Sequence, residues 1–343
     1  MLYYREFPTC RNRMSRAYLR LGGPLVFTIG LNMLIRLGTR QSALALWQAN
    51  YVSCSLAALG HQIELVKITT SGDVSTTPLG QSGGQGVFTK EIQRALLDNH
   101  CDLAVHSLKD LPTEVIPELV LAAVPPREDT SDCLISNGLQ FAELPSGARI
   151  GTGSPRRQAQ VLHARPDLLV VDIRGNVDTR IRKLDEGQYD AILLAYAGLH
   201  RLGLESRITQ KFTTELMLSA VGQAALGLET RANDTKITEA VQQLDHPASH
   251  AEVIAERTLL HSMRAGCLAP LAARATVLQD SMLLAARVYS SDGSEVVSVE
   301  CKIGLPMSIG NSDLFQIAKS LGHEAAERLN SKGASKLIES SRR

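Results

Sequence analysis

The sequence predicts an α/β protein of two or three domains with mostly parallel sheets. Three observations carry this reading. At 343 residues the chain is too long for one ordinary core and long enough for domains of roughly 100 residues each. From Met33 onward, short apolar strands alternate with amphipathic helices, the pattern of layered α/β folds. Charged residues also recur just after the predicted strands, where open α/β sheets collect their ligands.

Leu34–Leu37 reads as the first strand. Leu44, Trp47, Tyr51, Val52, Leu56 and Leu59 then recur at helical spacing, and Ile63–Ile68 returns to strand-like composition, completing a βαβ unit. The glycine-rich stretch from Gly80 to Gly86 matches no phosphate-loop pattern and reads as a connection. It leads to a helix near Thr89–Asp98 and a short buried strand, Leu103–Val105. Pro125-Pro126 breaks the chain and marks a crossing into a second domain.

There the rhythm repeats. Strands are expected near Arg149–Gly151, Leu168–Ile173 and Ala191–Leu194, alternating with helices near Pro155–Ala164, Val177–Glu186 and Tyr196–Leu202. His246-Pro247 marks another boundary. Beyond it lie a helix, Ala251–Met263, a hairpin of Met282–Tyr289 and Glu295–Lys302 around an Asp292-Gly293 turn, and a final helix, Ser312–Leu329.

Composition removes several function classes. With 36 basic and 35 acidic residues the net charge is +1, and aromatics make up 4% of the chain. A nucleic-acid partner would call for a basic surface and stacking platforms, so none is expected. No apolar run reaches the roughly 18 residues of a membrane span, so no membrane partner is expected either. The six cysteines, at 10, 54, 101, 133, 267 and 301, form no Cys-x-x-Cys pair or Cys/His ligand set. No metal site and no disulfide framework is expected, which fits a reducing compartment and a cytoplasmic location. Residues 1–32 carry five arginines against one acid. They read as a transit peptide, which would make the location organellar, as a poor signal sequence, or as an extension upstream of a true start at Met33; no catalytic contribution is expected of them.

The charges that could do chemistry are local. Arg40 and Ser42 follow the first strand in Gly38-Thr39-Arg40-Gln41-Ser42, and Lys109-Asp110 follow Leu103–Val105. Arg156-Arg157 follow Arg149–Gly151, and Arg174 follows Leu168–Ile173. Strand ends from two domains would face one cleft. Ser154 suits a helix N-cap and Pro155 the first helical position, which puts Arg156 and Arg157 in the first turn, where cations oppose the helix dipole unless an anion binds there. They are therefore either a fork for a carboxylate or two solvated surface residues. Arg180 and Arg201 lie on predicted helices, where a solvated face is the ordinary alternative. Cys267, in Arg264-Ala265-Gly266-Cys267-Leu268-Ala269-Pro270, is not distinguished by local sequence from Cys101 or Cys133.

Taken in order, these segments resemble the hydroxymethylbilane synthase (porphobilinogen deaminase) family from Met33 to about Leu337. The matching stretches are Thr39-Arg40-Gln41-Ser42, Ala104-Val105-His106-Ser107-Leu108-Lys109-Asp110, Arg156-Arg157-Gln158 and Arg174-Gly175-Asn176-Val177. Tyr189-Asp190-Ala191-Ile192-Leu193-Leu194-Ala195, Ala197-Gly198-Leu199, Arg201-Leu202-Gly203-Leu204, Val221-Gly222-Gln223 and Gly266-Cys267 continue the series. The resemblance implies two domains similar to type II periplasmic binding proteins with the active site in the cleft between them, plus a smaller C-terminal α/β domain. On this chain they would span 33–125 with 225–242, 126–224, and 243–343.

It also implies a dipyrromethane cofactor attached by a thioether to Cys267, porphobilinogen as substrate, a monomer, and a product passed to uroporphyrinogen-III synthase. Asp110 matches the catalytic carboxylate. Ser42, Lys109, Ser154, Arg156, Arg157, Arg174 and Arg180 match cofactor contacts, and Arg40, Arg174, Arg180 and Arg201 match substrate contacts. The chain departs from the commonest pattern at Gln85, Gly153, Pro155, Ala224, Ala265 and Leu268; Ala224 stands where glycine is usual. A non-catalytic binder of small acids, built on the same cleft, is the competing reading and would need neither a thiol nor Asp110.

Overall fold

A computed structural model describes residues 32–74, 86, 88–266 and 269–341. The expectations placed on residues 1–31, on Gln85 and its glycine-rich neighbours from Gly80, and on Cys267 and Leu268 lie outside the described residues.

Two five-stranded sheets share one topology. In the first, β1 (Leu34–Thr39) lies between β2 (Gln62–Lys67) and β3 (Leu103–Ser107), all parallel. A reversed strand, β10 (Leu226–Arg231), then separates β3 from β4 (Leu119–Ala123). In the second, β6 (Arg149–Gly151) lies between β7 (Leu169–Val171) and β8 (Ala191–Ala195), again parallel. The reversed strand there is β5 (Asp132–Ser136), between β8 and β9 (Gln210–Lys211). The chain leaves the first sheet after β4, enters the second at β5, and returns from β9 to β10. Two crossing segments, 124–131 and 212–225, therefore join the sheets.

Helices α1 (Ala43–Ala58), α2 (Lys90–Leu97) and α6 (Thr235–Gln242) pack on the first sheet, and α3 (Pro155–Ala164), α4 (Val177–Asp185) and α5 (Tyr196–Leu202) on the second. The apolar positions of β1 explain its placement: Ile35 and Leu37 are fully buried against Val52 and Leu56 of α1 and Leu103 and Leu228 of neighbouring strands. Each such side chain contributes about 1.5–3 kcal/mol on burial. The second sheet is covered on both faces, by one cluster around Leu134, Ile150 and Leu193 and another around Ile135, Ile192 and Leu194.

A third sheet is antiparallel, in the order β11 (Leu271–Val277), β12 (Ser281–Tyr289), β13 (Val296–Gly304). It shares a core with α7 (Pro247–Ser262), α8 (Asn311–Ser331) and α9 (Ala334–Ser340). The α/β class expected from the sequence holds, with each large sheet mostly parallel.

Residue patterns alone did not mark β4, β5, β9, β10, α6 or α9. In β5 and β10 the reason is visible: Asp132, Glu229 and Thr230 are buried polar residues inside short apolar runs, which removes any clean period of two. Cys101, Cys133 and Cys301 are free and buried, and Cys54 is disulfide-bonded. Among the described residues no helix is long and apolar enough to cross a membrane, and no group of three or more His, Cys, Asp or Glu side chains could hold a metal.

The second crossing segment is held in an unusual backbone. Gly222 has φ +67 and a Cβ there would lie 3.3 Å from the Lys109 backbone nitrogen. Ala224, two residues on, has φ +70, a left-handed conformation that costs an L-residue about 1–2 kcal/mol. Glycine would relieve this while adding entropy to the unfolded chain. Ala224→Gly is expected to stabilise the fold by about 0.5–1 kcal/mol, a rise of roughly 1–3 °C in the unfolding midpoint by calorimetry. A lower midpoint would show that the alanine is not strained.

Candidate active site

The carboxyl ends of β1, β3, β6, β7 and β8 open on one cavity of about 1600 Å³ between the two large sheets. Every described residue singled out from the sequence lines it: Arg40, Ser42, Lys109, Asp110, Ser154, Arg156, Arg157, Arg174, Arg180 and Arg201. The third unit closes one side through Leu260, Arg264, Gly266, Ala269 and Leu271. Cys267 lies outside the described residues, but Gly266 and Ala269 on either side of it belong to the wall.

Local structure sets each group. Ser42 caps α1, its Oγ accepting from the Ala45 backbone N–H at 3.3 Å, which turns the chain directly after Arg40. Arg40 lies over the Phe88 ring at 4.2 Å. Lys109 and Asp110 sit in a 3₁₀ turn, Leu108–Asp110, that ends β3. The Leu108 N–H bonds the Ala225 carbonyl at 3.0 Å, so the second crossing segment fixes that turn. Asp110 forms no ion pair with Lys109 among the described residues. Its charge raises the Lys109 and Arg180 groups, against the burial that lowers both.

Ser154 caps α3 and Pro155 opens it, as the sequence predicts. Arg156 and Arg157 are 4% and 5% exposed, so the reading of two solvated surface arginines is corrected. They meet a carboxylate of the protein itself. Asp132 Oδ1 accepts from Arg157 Nε at 2.9 Å and Nη2 at 2.6 Å, and Oδ2 lies 2.8 Å from Arg156 Nη1. Arg156 also donates to the Leu218 carbonyl at 2.6 Å, and Arg157 to that of Leu193 at 3.0 Å. The Arg156 Nε is buried with no hydrogen-bond partner. Burial pushes the Asp132 carboxyl up, but the two guanidinium groups outweigh it and hold it well below the ordinary range.

Arg174 pairs with Asp172 at 3.0 Å, and Arg180 donates to the Gly175 carbonyl at 2.8 Å. At Gly153 a Cβ would lie 2.8 Å from Asp172 Oδ1, so a larger residue there would require the Asp172 carboxylate to shift. Arg201 donates to the Ala224 carbonyl at 2.6 Å and lies over Trp47 of α1, so it contacts both lobes. Burial lowers the Arg201 and Arg180 guanidinium groups to about 10, with Arg157 and Arg174 adding repulsion on Arg180. Burial, then the Arg157 charge, brings the Lys109 ammonium down to about 8. Counting Lys183 and Arg264, nine lysine and arginine side chains line the cavity against Asp110 and Asp178. An excess of that kind, in a site that lowers the pKa of its own cations, calls for an anionic ligand. Asp132, Gln223, Lys183 and Arg264 were not singled out from the sequence. Only the buried ion pair distinguishes Asp132, and no sequence pattern reports that.

Residues 35–239 match the family described as "Porphobilinogen deaminase, dipyromethane cofactor binding domain", and residues 250–331 match "Porphobilinogen deaminase, C-terminal domain". The chain belongs to the porphobilinogen deaminase family. Porphobilinogen deaminase of Pelobacter propionicus is 45% identical over 308 residues, covering 89% of this chain and 96% of the relative. That of Trichlorobacter lovleyi is 47% identical over 308 residues with the same coverage, and that of Geobacter sulfurreducens 46% over 307, covering 89% and 93%. Among solved structures, the methionine-binding protein MetQ aligns at a TM-score of 0.40 and 14% identity, over 61% of this chain and 90% of that one. The porphobilinogen deaminase match runs through both large sheets and the third unit, so it covers the cavity-lining residues from Arg40 to Leu271.

Proposed function

We propose that this chain is a hydroxymethylbilane synthase, a transferase of tetrapyrrole (haem- or chlorophyll-type) biosynthesis. It condenses four porphobilinogen molecules head to tail on a covalently held dipyrromethane, releasing one ammonia per addition, and then frees the linear tetrapyrrole hydroxymethylbilane by hydrolysis. The observation that carries this is the cavity itself, where nine cations from both lobes and the third unit converge. A dipyrrole with an acetate and a propionate on each ring brings four carboxylates, which the excess of lining cations over Asp110 and Asp178 can receive.

In this reading Cys267 anchors the cofactor, and Ser42, Lys109, Ser154, Arg156, Arg157, Arg174 and Arg180 hold it. Arg40, Arg174, Arg180 and Arg201 take the incoming porphobilinogen, and Asp110 is the catalytic carboxylate. When bound, the dipyrromethane supplies the ring from which the chain is extended. The residues around it bind carboxylates, orient the reacting rings and offset developing positive charge. Residues 33–125 with 225–242, 126–224 and 243–343 form the three domains. The protein works as a cytoplasmic monomer and hands its product to uroporphyrinogen-III synthase.

Incubating the purified protein with porphobilinogen is expected to release one ammonia per substrate consumed and to form hydroxymethylbilane. Binding without ammonia release would instead identify a small-acid-binding protein. A second test uses pH. Lys109 loses its proton as pH rises through about 8, so one positive charge leaves the cavity and KM for porphobilinogen is expected to rise between about pH 7 and pH 9. Lys109→Arg, which stays charged across that range, should abolish the rise. A KM that does not change over this interval in the parent would show that the Lys109 charge takes no part in porphobilinogen binding.

A further inference from the structure

We infer that Asp132 is a positioning residue for the reaction, holding the Arg156 and Arg157 guanidinium groups in the orientation that receives ligand carboxylates. The inference rests on the proposed function and adds a residue to it. Asp132 does not line the cavity, whereas both arginines do, so it acts through them. It is fully buried at the start of β5, and its backbone carbonyl accepts from the Phe212 N–H at 3.0 Å, which fixes where its side chain begins.

The geometry is that of a shared counter-ion. One oxygen takes two N–H groups of Arg157 and also the Gln223 side-chain amide at 3.0 Å; the other faces Arg156. Carbonyls of Leu218 and Leu193 hold the two guanidinium groups on another side. Each arginine is thus fixed from two directions, and a fork fixed in advance need not be ordered when a carboxylate arrives. Without the Asp132 charge, two cations packed beside Lys109 would repel one another in a poorly solvated site. The Gln223 contact brings in the second crossing segment, so the forks are tied to the same chain stretch that fixes the Lys109-Asp110 turn.

The test compares parent, Asp132→Asn and Asp132→Glu as holoenzymes, with folding followed by circular dichroism, cofactor content by intact mass, and kcat and KM per cofactor-bearing chain. The parent must first convert porphobilinogen; if it does not, the proposed function fails and Asp132 is not the cause. Asparagine keeps the shape and removes the charge, so kcat is expected to fall by roughly thirtyfold or more while KM stays within about threefold. Glutamate keeps the charge but moves it by about one methylene, so a positioning role predicts a fall of about tenfold in kcat with a near-parent unfolding midpoint. A role limited to charge compensation predicts parent kcat in Asp132→Glu. Parent-like kcat per cofactor-bearing chain in either variant overturns the inference. Failure of both variants to fold would also overturn it, making Asp132 a purely structural counter-ion.

Discussion

Cys267→Ala is expected to yield a folded protein with no covalent dipyrromethane and no turnover, whereas the parent carries one adduct per chain. The other cysteines with described environments argue for this by their chemistry. A thioether forms through a thiolate, and a thiol held protonated is a poor nucleophile. Burial pushes Cys101 up to about 11 and Cys133 up to about 12, and also raises Cys301. All three are packed inside cores with 0–2% of their surface exposed. Cys267 instead falls between Gly266 and Ala269, both on the cavity wall beside the cations. Intact-mass analysis checks the expectation directly. An adduct that survives in Cys267→Ala, or one that peptide mapping places on Cys101 or Cys133, would refute the assignment. Retained secondary structure in the variant separates loss of the anchor from loss of the fold.

Local sequence carried the parallel core of each lobe further than it carried the whole sheet. The strands β1, β3, β6 and β8 announce themselves because each is a compact apolar run next to a helix with regular spacing. Helix α3 is legible to the residue, since Ser154 and Pro155 encode its start. The reversed strands β5 and β10 are not legible, because their register depends on partners 55 or more residues away, among them Ala195 opposite Asp132 and Ser107 opposite Leu226. The cationic residues were legible as candidates because they follow strands whose carboxyl ends share a cleft. What each touches was not. Arg156 and Arg157 read as a waiting fork in the sequence, yet in the fold they already share a buried carboxylate that arrives from another strand. Cys267 is the reverse case, marked only by resemblance while the residue pattern around it stays silent. Its significance depends on which loop the third unit presents to the cleft, a tertiary fact.

Asp110→Asn is expected to keep the fold and lower kcat by about a hundredfold to a thousandfold, the scale of about 3–4 kcal/mol for one removed electrostatic contact to a transition state. Loss of ammonia from porphobilinogen leaves an electron-poor methylene-pyrrole, so positive charge develops on a pyrrole nitrogen during the step. A fixed carboxylate stabilises that charge more than it stabilises the neutral substrate, and only this difference speeds the reaction. Asp110 lines the cavity on a short turn clamped by Ala225 and backed by Gly222, and no protein cation among the described residues pairs with it. An aspartate already committed to a salt bridge would have less charge to offer. Asparagine removes the charge at nearly constant shape, whereas Asp110→Glu keeps it and shifts it by about one methylene, so the glutamate variant should retain measurable, slowed turnover. The comparison is made on enzyme shown by intact mass to carry its cofactor, so that assembly and catalysis are read separately. If cofactor-bearing Asp110→Asn consumes porphobilinogen as fast as the parent, the negative charge at this position plays no part in the chemical step.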